Sequence, residues 1–499
     1  QTMRGSGEAL LKRFRGIDAR LRGIGDEVNA RLRQSVADIN QLSSGIAELN
    51  AQIVLEQGKV GQPPNDLMDQ RDLLIHQLAE QIGVNTFSQD DGSINVSIGS
   101  GQTLVVGTEA REVGVRRNEF DPSQLEFVYK NVSGDTPLNV GNIGGAIGGL
   151  LEFRATMLDT ARQALGESAV ALALEFNAQH ASGMDLRGAL GGNFFSLNTP
   201  DVLPSSGNTG SGTISPIVAD IAALDGADHI LEFDGVSYSL RRADNGQTII
   251  MTGSGTVPDP FIAVGLSITV AGAPAAGDAF MIRPVSGAPS SLNIAVTDIQ
   301  SIAMAAPTRT AANSNNIGDA TISASEIVDR NDPALLTSSV ILFTGPNTYS
   351  INGAGAFAYT SGDPIVINGS QFAITGIPQT GDQFNIEANL GGTGDNRNGL
   401  LLSEIQSRGI LEGGTVGVSD NYARLIADVG GQAHQINANL GAQNVILANI
   451  QDSMFSTSGV NLDEEAARLI QYQQAYMAVA QVVAITSTLF DTLIGAVRR

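Results

Sequence analysis

The C-terminal residues 458–499 contain a long helical pattern that carries no charge between Leu469 and Phe490. Asn461 is a good N-cap residue, and Glu464 stands three residues later, where a capping box places its acid. Apolar side chains then recur at spacings of three, four and seven, which is typical of a helix that other helices cover. The residues predicted to form this assembly surface are Asn461, Leu462, Leu469, Tyr472, Gln473, Tyr476, Val483, Phe490 and Leu493.

An uncharged stretch of this length also raises the possibility of a membrane span. Its polar residues are Gln471, Gln473, Gln474, Gln481, Thr486, Ser487 and Thr488. Unpaired amides are costly in hydrocarbon, whereas at the edge of a coiled coil they stay solvated or bond across the seam. The sequence therefore favours a helix-bundle or coiled-coil seam, and no membrane span is predicted.

Three runs in this segment resemble the C-terminal signature of bacterial flagellar axial proteins. They are Ser-Gly-Val-Asn-Leu-Asp-Glu-Glu-Ala-Ala at 458–467, Tyr-Gln-Gln-Ala-Tyr at 472–476 and Phe-Asp-Thr-Leu at 490–493. Their wording resembles that of the hook-associated protein 1 family in particular. Rod and hook proteins share the Gln-x-Ala-Tyr helix but differ in the residues leading into it.

The resemblance implies a structural subunit of the bacterial flagellum at the junction between hook and filament, with no enzymatic activity and no cofactor. It implies an extracellular protein that is exported without a cleaved signal peptide. Its implied partners are copies of itself in a ring, the hook protein, the next hook-associated protein towards the filament, and an export chaperone on the C-terminal helix. Alternatives are another axial protein (hook or flagellin-like), a secreted surface adhesin or fibre subunit, and an enzyme displayed on an axial scaffold.

Composition is consistent with a secreted structural subunit. The chain has 499 residues, a net charge of -23 and only three lysines, Lys12, Lys59 and Lys130. Such a chain offers no patch for neutralising phosphates, so nucleic acid is not an expected partner. There is no cysteine, which excludes disulfides and thiolate sites.

The N-terminal residues independently predict a rod. Apolar positions follow alternating spacings of four and three, with one stutter, at Leu10, Phe14, Ile17, Leu21, Ile24, Val28, Leu32, Ser35, Ile39, Leu42, Ile46, Leu49 and Ile53. A helix over 8–55 would be about 70 Å long. After a break near Pro63 and Pro64, a shorter helix should pack back on the first. Its run Leu-Met-Asp-Gln-Arg-Asp-Leu at 67–73 resembles a family motif, although a solvated polar helix face is a sufficient explanation.

Beyond these helices, the sequence predicts short strands and then another helix. Asp90, Asp91 and Gly92 form a hairpin-turn signal between two β-prone runs. Calcium binding by the two aspartates is disfavoured, because the alternating ligands of an EF-hand loop are lacking. A second long helix follows, with Leu151, Leu158, Leu165 and Leu172 at spacings of seven.

Residues from about 183 to 390 are rich in Gly, Ala, Thr and Ser and lose the helical period. An internal repeat lies within them. The segment 272–282 matches 376–386 at every one of Gly, Pro, Gly, Asp, Phe and Ile, and 233–238 parallels 343–349 with one insertion. Two related β domains are therefore predicted, and in the family such domains lie on the outside of the tube.

The predicted fold is α+β and multidomain: a discontinuous long-helix bundle or coiled-coil rod with inserted all-β domains. The predicted parts are 1–182, a rod with a small β-hairpin element near 86–140; 183–310 and 311–392, the β domains; 393–450, the return of the rod; and 451–499, the assembly helix. Helices within 421–429 and 436–450 should pack with the rod as one bundle. Family members begin with a short helix that pairs with the C-terminal one, and nothing similar precedes Gln1. A truncated or misassigned start, and a mobile or misdocked terminal helix, are therefore expected.

No catalytic or metal-binding residues are predicted. The four histidines, His76, His180, His229 and His434, are scattered, and no two share a helical turn. The chain has no His-Glu-x-x-His, Gly-x-Ser-x-Gly or phosphate-loop motif. Carboxylates are so numerous that no pair stands out as an acid and base couple.

Overall fold

The computed structural model describes residues 2–60, 63–131, 134–138, 141, 143–458 and 462–497, with their side chains except at 60, 455, 457, 458, 462 and 489–497. The chain divides into two compact units, Gln1–Ile426 and Ala427–Arg499. The division lies within the predicted return part 393–450. The described sheets belong to the first unit.

The first unit is built on a long helix, α1 (Thr2–Val60), against which α2 (Asn65–Gln81) packs. Leu32, Ile39, Ile46 and Ile53, which are spaced by seven, are each 0% exposed. Residues at this spacing lie on one face of a helix, so α1 buries a continuous apolar stripe, as predicted. At about 1.5 Å per residue, α1 is about 88 Å long, which is longer than predicted.

A second helical stretch lies beside α1. It consists of α3 (Gly145–Phe153), a π-helical turn (Arg154–Leu158) and α4 (Asp159–Ala181). Leu151, Leu158 and Leu165 are buried, and Leu172 is half-buried. The predicted spacing of seven therefore does mark the buried side of this stretch.

Two small antiparallel sheets cover the C-terminal half of α1. One contains β1 (Val84–Ser88), β2 (Ile94–Ile98), β3 (Gln102–Val106) and β4 (Glu109–Ala110), and the other β5 (Val113–Arg117), β6 (Leu125–Tyr129) and β7 (Thr136–Pro137), each in chain order. Ile98, Leu104 and Phe127 pack from these sheets onto Ile39 and Ile46. The hairpin predicted near 86–140 is thus only part of a larger layer, whose apolar residues complete the rod core.

Arg71 of α2 anchors this layer. The side chain is buried, and its Nη1 donates to the backbone oxygen of Gly92, at 2.8 Å, and to Oδ1 of Asn50, at 3.4 Å. The same Asn50 oxygen accepts the Ile94 amide. The interpretation of the motif at 67–73 as a solvated polar face is therefore wrong for Arg71, which ties α2, α1 and the first sheet together.

The first β domain follows α4. Its elements are β8 (Phe195–Ser196), β9 (Asp201–Pro204), β10 (Thr213–Val218), β11 (His229–Phe233), β12 (Tyr238–Arg242), β13 (Thr248–Ile249), β14 (Phe261–Ala263), β15 (Leu266–Ala271), β16 (Ala279–Arg283), the short α5 (Ala288–Ser291) and β17 (Asn293–Ile294). The sheets have the orders β13-β12-β11-β16-β9, β10-β15-β14 and β17-β8. Phe280 and Ile282 alternate into the core that also contains Leu165 of α4, so this domain and the rod share one core.

The second β domain has its own core. Its strands are β18 (Thr308–Ala312), β19 (Thr321–Ile322), β20 (Glu326–Ile327), β21 (Ser339–Gly345), β22 (Thr348–Ile351), β23 (Ala354–Ala358), β24 (Pro364–Ile367), β25 (Ser370–Thr375) and β26 (Gln383–Ala388). The sheets have the orders β18-β26-β21-β22-β23 and β19-β25-β20, with β24 also paired to β25. Phe343, Phe384 and Ile386 lie at the centre of this core.

The sequence repeat forms the same turn in both β domains. Asp278, before β16, accepts the backbone N–H groups of Thr209, Gly210 and Ala275 at 2.8, 3.0 and 2.9 Å. Asp382, before β26, occupies the matching position. Its donors are the backbone N–H groups of Ile317, Gly318 and Gln379. The repeated aspartate thus fixes a turn in each domain by satisfying buried amides.

Polar residues connect the end of α4 to the segments that precede and follow the second β domain. His180 is buried at the end of α4, where its Nδ1 lies 2.7 Å from the Gly192 oxygen and its Nε2 accepts the Ala303 amide at 2.9 Å. The ring is therefore neutral, with its proton on Nδ1, and burial lowers the pKa of His180. Asn398 donates to the Ala303 oxygen at 2.6 Å. This hydrogen bond connects the segment that enters the second β domain with the segment that leaves it.

Charged residues tie the first β domain to the rod. Arg283 of β16 pairs with Asp121, which precedes β6, at 3.0 Å and with Asp228 at 3.3 Å. Burial raises the pKa of Asp228 to about 6, although Arg283 opposes the shift. Burial likewise raises the pKa of Asp159, the first residue of α4.

The returning chain forms α6 (Arg397–Glu404), α7 (Val418–Ser458) and α8 (Leu462–Val497). At the start of α7, Asn421 donates to the Ala164 oxygen at 3.2 Å and to Oγ of Ser168 at 3.1 Å. From Ile426 to Met454 every side chain is exposed. At its start, α7 therefore packs onto α4. The bundle packing predicted for 436–450 stays a prediction.

Candidate assembly surface

Helix α8 is the candidate functional element. It has 36 residues, and it lacks proline and has glycine only at Gly495, so little in its sequence opposes a continuous helix. Three acids lie in its first turn, where the helix dipole favours negative charge. Arg468 pairs with Glu465 at 3.2 Å. Further along, the Thr486 hydroxyl donates to the Val482 oxygen at 2.7 Å, so this polar group is satisfied within the helix.

The structure places five of the nine predicted residues on one exposed side of α8. These are Leu469, Tyr472, Gln473, Tyr476 and Val483. Leu469 is 68% exposed and Tyr476 is 76% exposed. Asn461 lies outside the described residues, as do the side chains of Leu462, Phe490 and Leu493.

Apolar residues of α8 extend beyond the predicted stripe, which the single-stripe prediction missed. Ile470, Met477 and Ile485 are exposed. At about 100° per residue, Ile470 and Met477 lie on the flank of the predicted stripe, and Ile485 lies opposite Leu469 and Tyr476. An apolar surface wider than one stripe is typical of a helix that contacts more than one neighbouring element. The signal was available in the sequence, because Ile470, Met477 and Ile485 fall outside the predicted stripe.

Helix α7 carries a second exposed seam. Ile436, Leu440, Leu447, Ile450 and Met454 are exposed and follow spacings of four, seven, three and four. This spacing is that of a heptad seam. The second unit thus presents two apolar helical surfaces.

A membrane span and a calcium site were both considered from the sequence. Within them, no helix is long and apolar enough to cross a bilayer. Nor do they contain a group of three or more His, Cys, Asp or Glu side chains placed to hold a metal ion. Asp91, which was considered for calcium, accepts the amide and hydroxyl of Ser93 at 3.0 and 2.6 Å, so it serves its own turn.

Three family models match the chain. The flagellar hook-associated protein FlgK helical domain matches residues 1–195, the flagellar hook-associated protein 1 D2-like domain matches 203–284, and the flagellar basal body rod FlgEFG protein C-terminal matches 451–496. The last match covers most of α8.

Whole-chain comparisons agree with these matches. Flagellar hook-associated protein 1 of Escherichia coli is 30% identical over 499 residues, which are 99% of this chain and 76% of that protein. The chain belongs to the flagellar hook-associated protein 1 family. The protein of the same name from Salmonella typhimurium is 31% identical, with the same coverage. Members of the family are structural proteins of the hook–filament junction, and the chain shares that role.

A solved structure supports the fold. The flagellar hook junction protein FlgK from Burkholderia pseudomallei superposes with a TM-score of 0.81 at 28% identity, covering 90% of this chain and 88% of that one. The predicted α+β multidomain class is confirmed, as is the family. The chain is accordingly a flagellar component, and its relatives are structural proteins.

Proposed function

We propose that the chain joins the hook–filament junction through α8, whose apolar side chains are buried by neighbouring subunits on assembly. The observation that carries the proposal is the exposure of Leu469, Tyr472, Tyr476 and Val483 on a helix without charge along this stretch. The match of the rod-protein C-terminal model to 451–496 supports a use that other axial proteins share.

The energetics favour assembly over solvent exposure. Burial of a large apolar side chain contributes about 1.5–3 kcal/mol, and immobilising it costs about 0.5–1.5 kcal/mol. Leu469, Tyr476 and Val483 together therefore supply a net stabilisation of a few kcal/mol. The apolar residues of α8 outside this stripe add to the stabilisation only where a second neighbour covers them.

The proposed partners are copies of this chain in a ring, the hook protein on one side and the next hook-associated protein on the filament side. An export chaperone that covers α8 before assembly is also proposed, because an exposed helix of this composition would otherwise self-associate. Export proceeds without a cleaved signal peptide, and the role is structural, without catalysis.

Deletion of the gene in the source bacterium tests the function. Cells should keep their hooks, lose their filaments and release monomeric flagellin into the medium. Complementation with the chain should restore filaments and swimming. Normal filaments in the deletion strain would contradict the proposal and favour a secreted adhesin.

Variants in α8 test the surface. Complementation with Leu469→Asp combined with Tyr476→Asp should fail to restore filaments, because two charges would be buried in an apolar interface. Val236→Asp is the matched control, since Val236 is exposed in the first β domain and should leave filaments unchanged. Normal swimming with the α8 double variant would exclude this side of α8 as the interface.

A further inference from the structure

The rod has a strongly uneven charge. Residues 12–33 of α1 contain seven Lys or Arg and three Asp or Glu, a net charge of +4, in a chain whose net charge is -23. Residues 65–81, which form α2, contain four Asp or Glu and one Arg, a net charge of -3. Two segments of the same rod therefore carry opposite charge.

Several cations of the α1 segment are free to bind a partner. Lys12, Arg13 and Arg20 are exposed and have no hydrogen bond or ion pair with any described residue. Arg13 and Arg20 are one heptad apart, so they lie on one face of α1. Ile24, four residues after Arg20, is 38% exposed on the same side. We call Lys12, Arg13, Arg20 and Ile24 the basic patch.

Helix α2 presents the complementary surface. Asp66, Asp69 and Glu80 are exposed and have no ion pair within the described part of the chain. Leu73 lies among them and is 57% exposed. The cation of this helix, Arg71, is buried and points inward. We call Asp66, Asp69, Leu73 and Glu80 the acidic face.

A single chain cannot bring these two surfaces together. Leu74 of α2 packs at Gly45 of α1, and Arg71 reaches Asn50, so α2 lies along the C-terminal half of α1. The basic patch is centred some thirty residues earlier, which at about 1.5 Å per residue places it about 45 Å away along the rod. No side chain spans such a distance, so contact between these two surfaces requires two molecules.

We propose that the basic patch of one copy docks on the acidic face of a second copy. The patches have opposite charge, and each has an exposed aliphatic residue within it, as in interfaces with a polar rim around an apolar centre. The contact is heterologous, so each copy keeps one patch free for the next neighbour. Such contacts generate rings or helical arrays. The proposal rests on the proposed function, in which copies of this chain assemble together.

Cross-linking tests the contact directly, because the chain has no cysteine of its own. Full-length Ile24→Cys and Leu73→Cys chains are purified separately, mixed at low salt and treated with a short thiol-specific bifunctional reagent. The mixture should give a cross-linked dimer, whereas each variant alone should not give one above background. Val236→Cys mixed with Leu73→Cys is the matched control, and the dimer yield should fall about tenfold at 1 M salt, where the screening length is about 3 Å.

Charge exchange sharpens the test. Arg13→Glu with Arg20→Glu in the Ile24→Cys chain should lower the yield about tenfold. Asp69→Lys with Glu80→Lys in the Leu73→Cys chain should then restore it. A mixture that cross-links no better than the control pair overturns the proposal, as does an unchanged yield after charge reversal.

The same cysteine pairs, expressed together in cells that lack the native gene, separate this proposal from the proposed function. If filaments grow and depend on α8 but Ile24 and Leu73 do not cross-link, the charge contact is wrong and assembly through α8 stands. If the chains never join the junction, the proposed function fails and this proposal fails with it.

Discussion

Helices α1 and α8 carry similar apolar repeats but differ completely in exposure. In α1, Leu32, Ile39 and Ile46 are 0% exposed, because α2 and two small sheets cover them. In α8, Leu469 and Tyr476 are 68% and 76% exposed. The apolar repeat thus indicates that other elements bury the helix. It does not indicate whether those elements belong to the same chain or to a neighbouring subunit. For α1 the cover is the same chain, and for α8 we propose that it is the assembly.

The largest expected effect is a difference in the free energy of unfolding between a substitution in α1 and one in α8. Ile46→Ala removes a fully buried side chain and should lower the free energy of unfolding of the first unit by about 2–5 kcal/mol. Val483→Ala in the free chain should change it by less than about 0.5 kcal/mol. Urea unfolding monitored by circular dichroism measures both. Equal losses for the two variants would mean that α8 is already covered in the free chain, which would remove the contrast.

The next prediction concerns the contacts that hold α2 and the two small sheets on α1. Arg71→Met keeps much of the buried volume but leaves the Gly92 oxygen without its donor and removes one of the two donors to the Asn50 oxygen, so it should destabilise the first unit by about 3 kcal/mol. Arg71→Lys should also destabilise, because an ammonium group cannot reproduce the planar fork. Arg111→Met, at an exposed position, is the control for loss of a cation. An Arg71→Met chain as stable as wild type would show that apolar packing alone holds α2 and the first sheet on α1.

A smaller loss of stability is expected in the second β domain, without a change in the rod. Asp382→Ala leaves three buried amide groups of the second β domain without an acceptor and should cost that domain about 2 kcal/mol. Asp363→Ala, exposed in the same domain, is the control. Hydrogen exchange should accelerate in β26, whereas amides of α1 near Ile39 should keep their protection. Equal loss of hydrogen-exchange protection in α1 would mean that the second β domain also stabilises α1.

Local and periodic features were predictable from the sequence, whereas contacts between distant segments were not. The heptads of α1 and the repeated Gly-x-Pro turns depend on neighbouring residues, so their patterns lie within the sequence itself. Arg71 and Gly92 pair across a helix and a turn, and His180 meets Ala303 across a whole β domain. Nothing in either sequence neighbourhood indicates these partners.

The candidate site was predictable in kind but not in extent. The absence of charge in α8 indicates a buried helix, and the helix forms as expected. The prediction used one stripe, although Ile470 and Met477 widen the apolar surface. Ile436 and Leu440 form an exposed apolar seam whose neighbour the sequence does not identify, and the bundle predicted for 436–450 stays a prediction.

The smallest expected effect concerns the joint from which the exposed part of α7 departs. Burial raises the pKa of Glu167 to about 7, Asp225 and Glu412 add to the shift, and Asn421 opposes it. The folded-state pKa exceeds the ordinary value of 4.5, so the contribution to stability is complete below about pH 4.5 and is lost as the pH rises through 7. Glu167→Gln should therefore be more stable than wild type at pH 8, by about 1 kcal/mol, and the gain should shrink towards pH 5.

Urea unfolding of both chains at pH 5, 6.5 and 8 measures this difference, and subtraction removes the titration of groups that the two chains share. Glu175→Gln, on the same helix, is the control. A constant difference at all three pH values would place Glu167 in water, and Asn421 would then be held to α4 only by its bonds to Ala164 and Ser168. A difference that grows with pH would confirm that the Glu167 carboxyl is buried in the folded chain, beside Asn421 of α7.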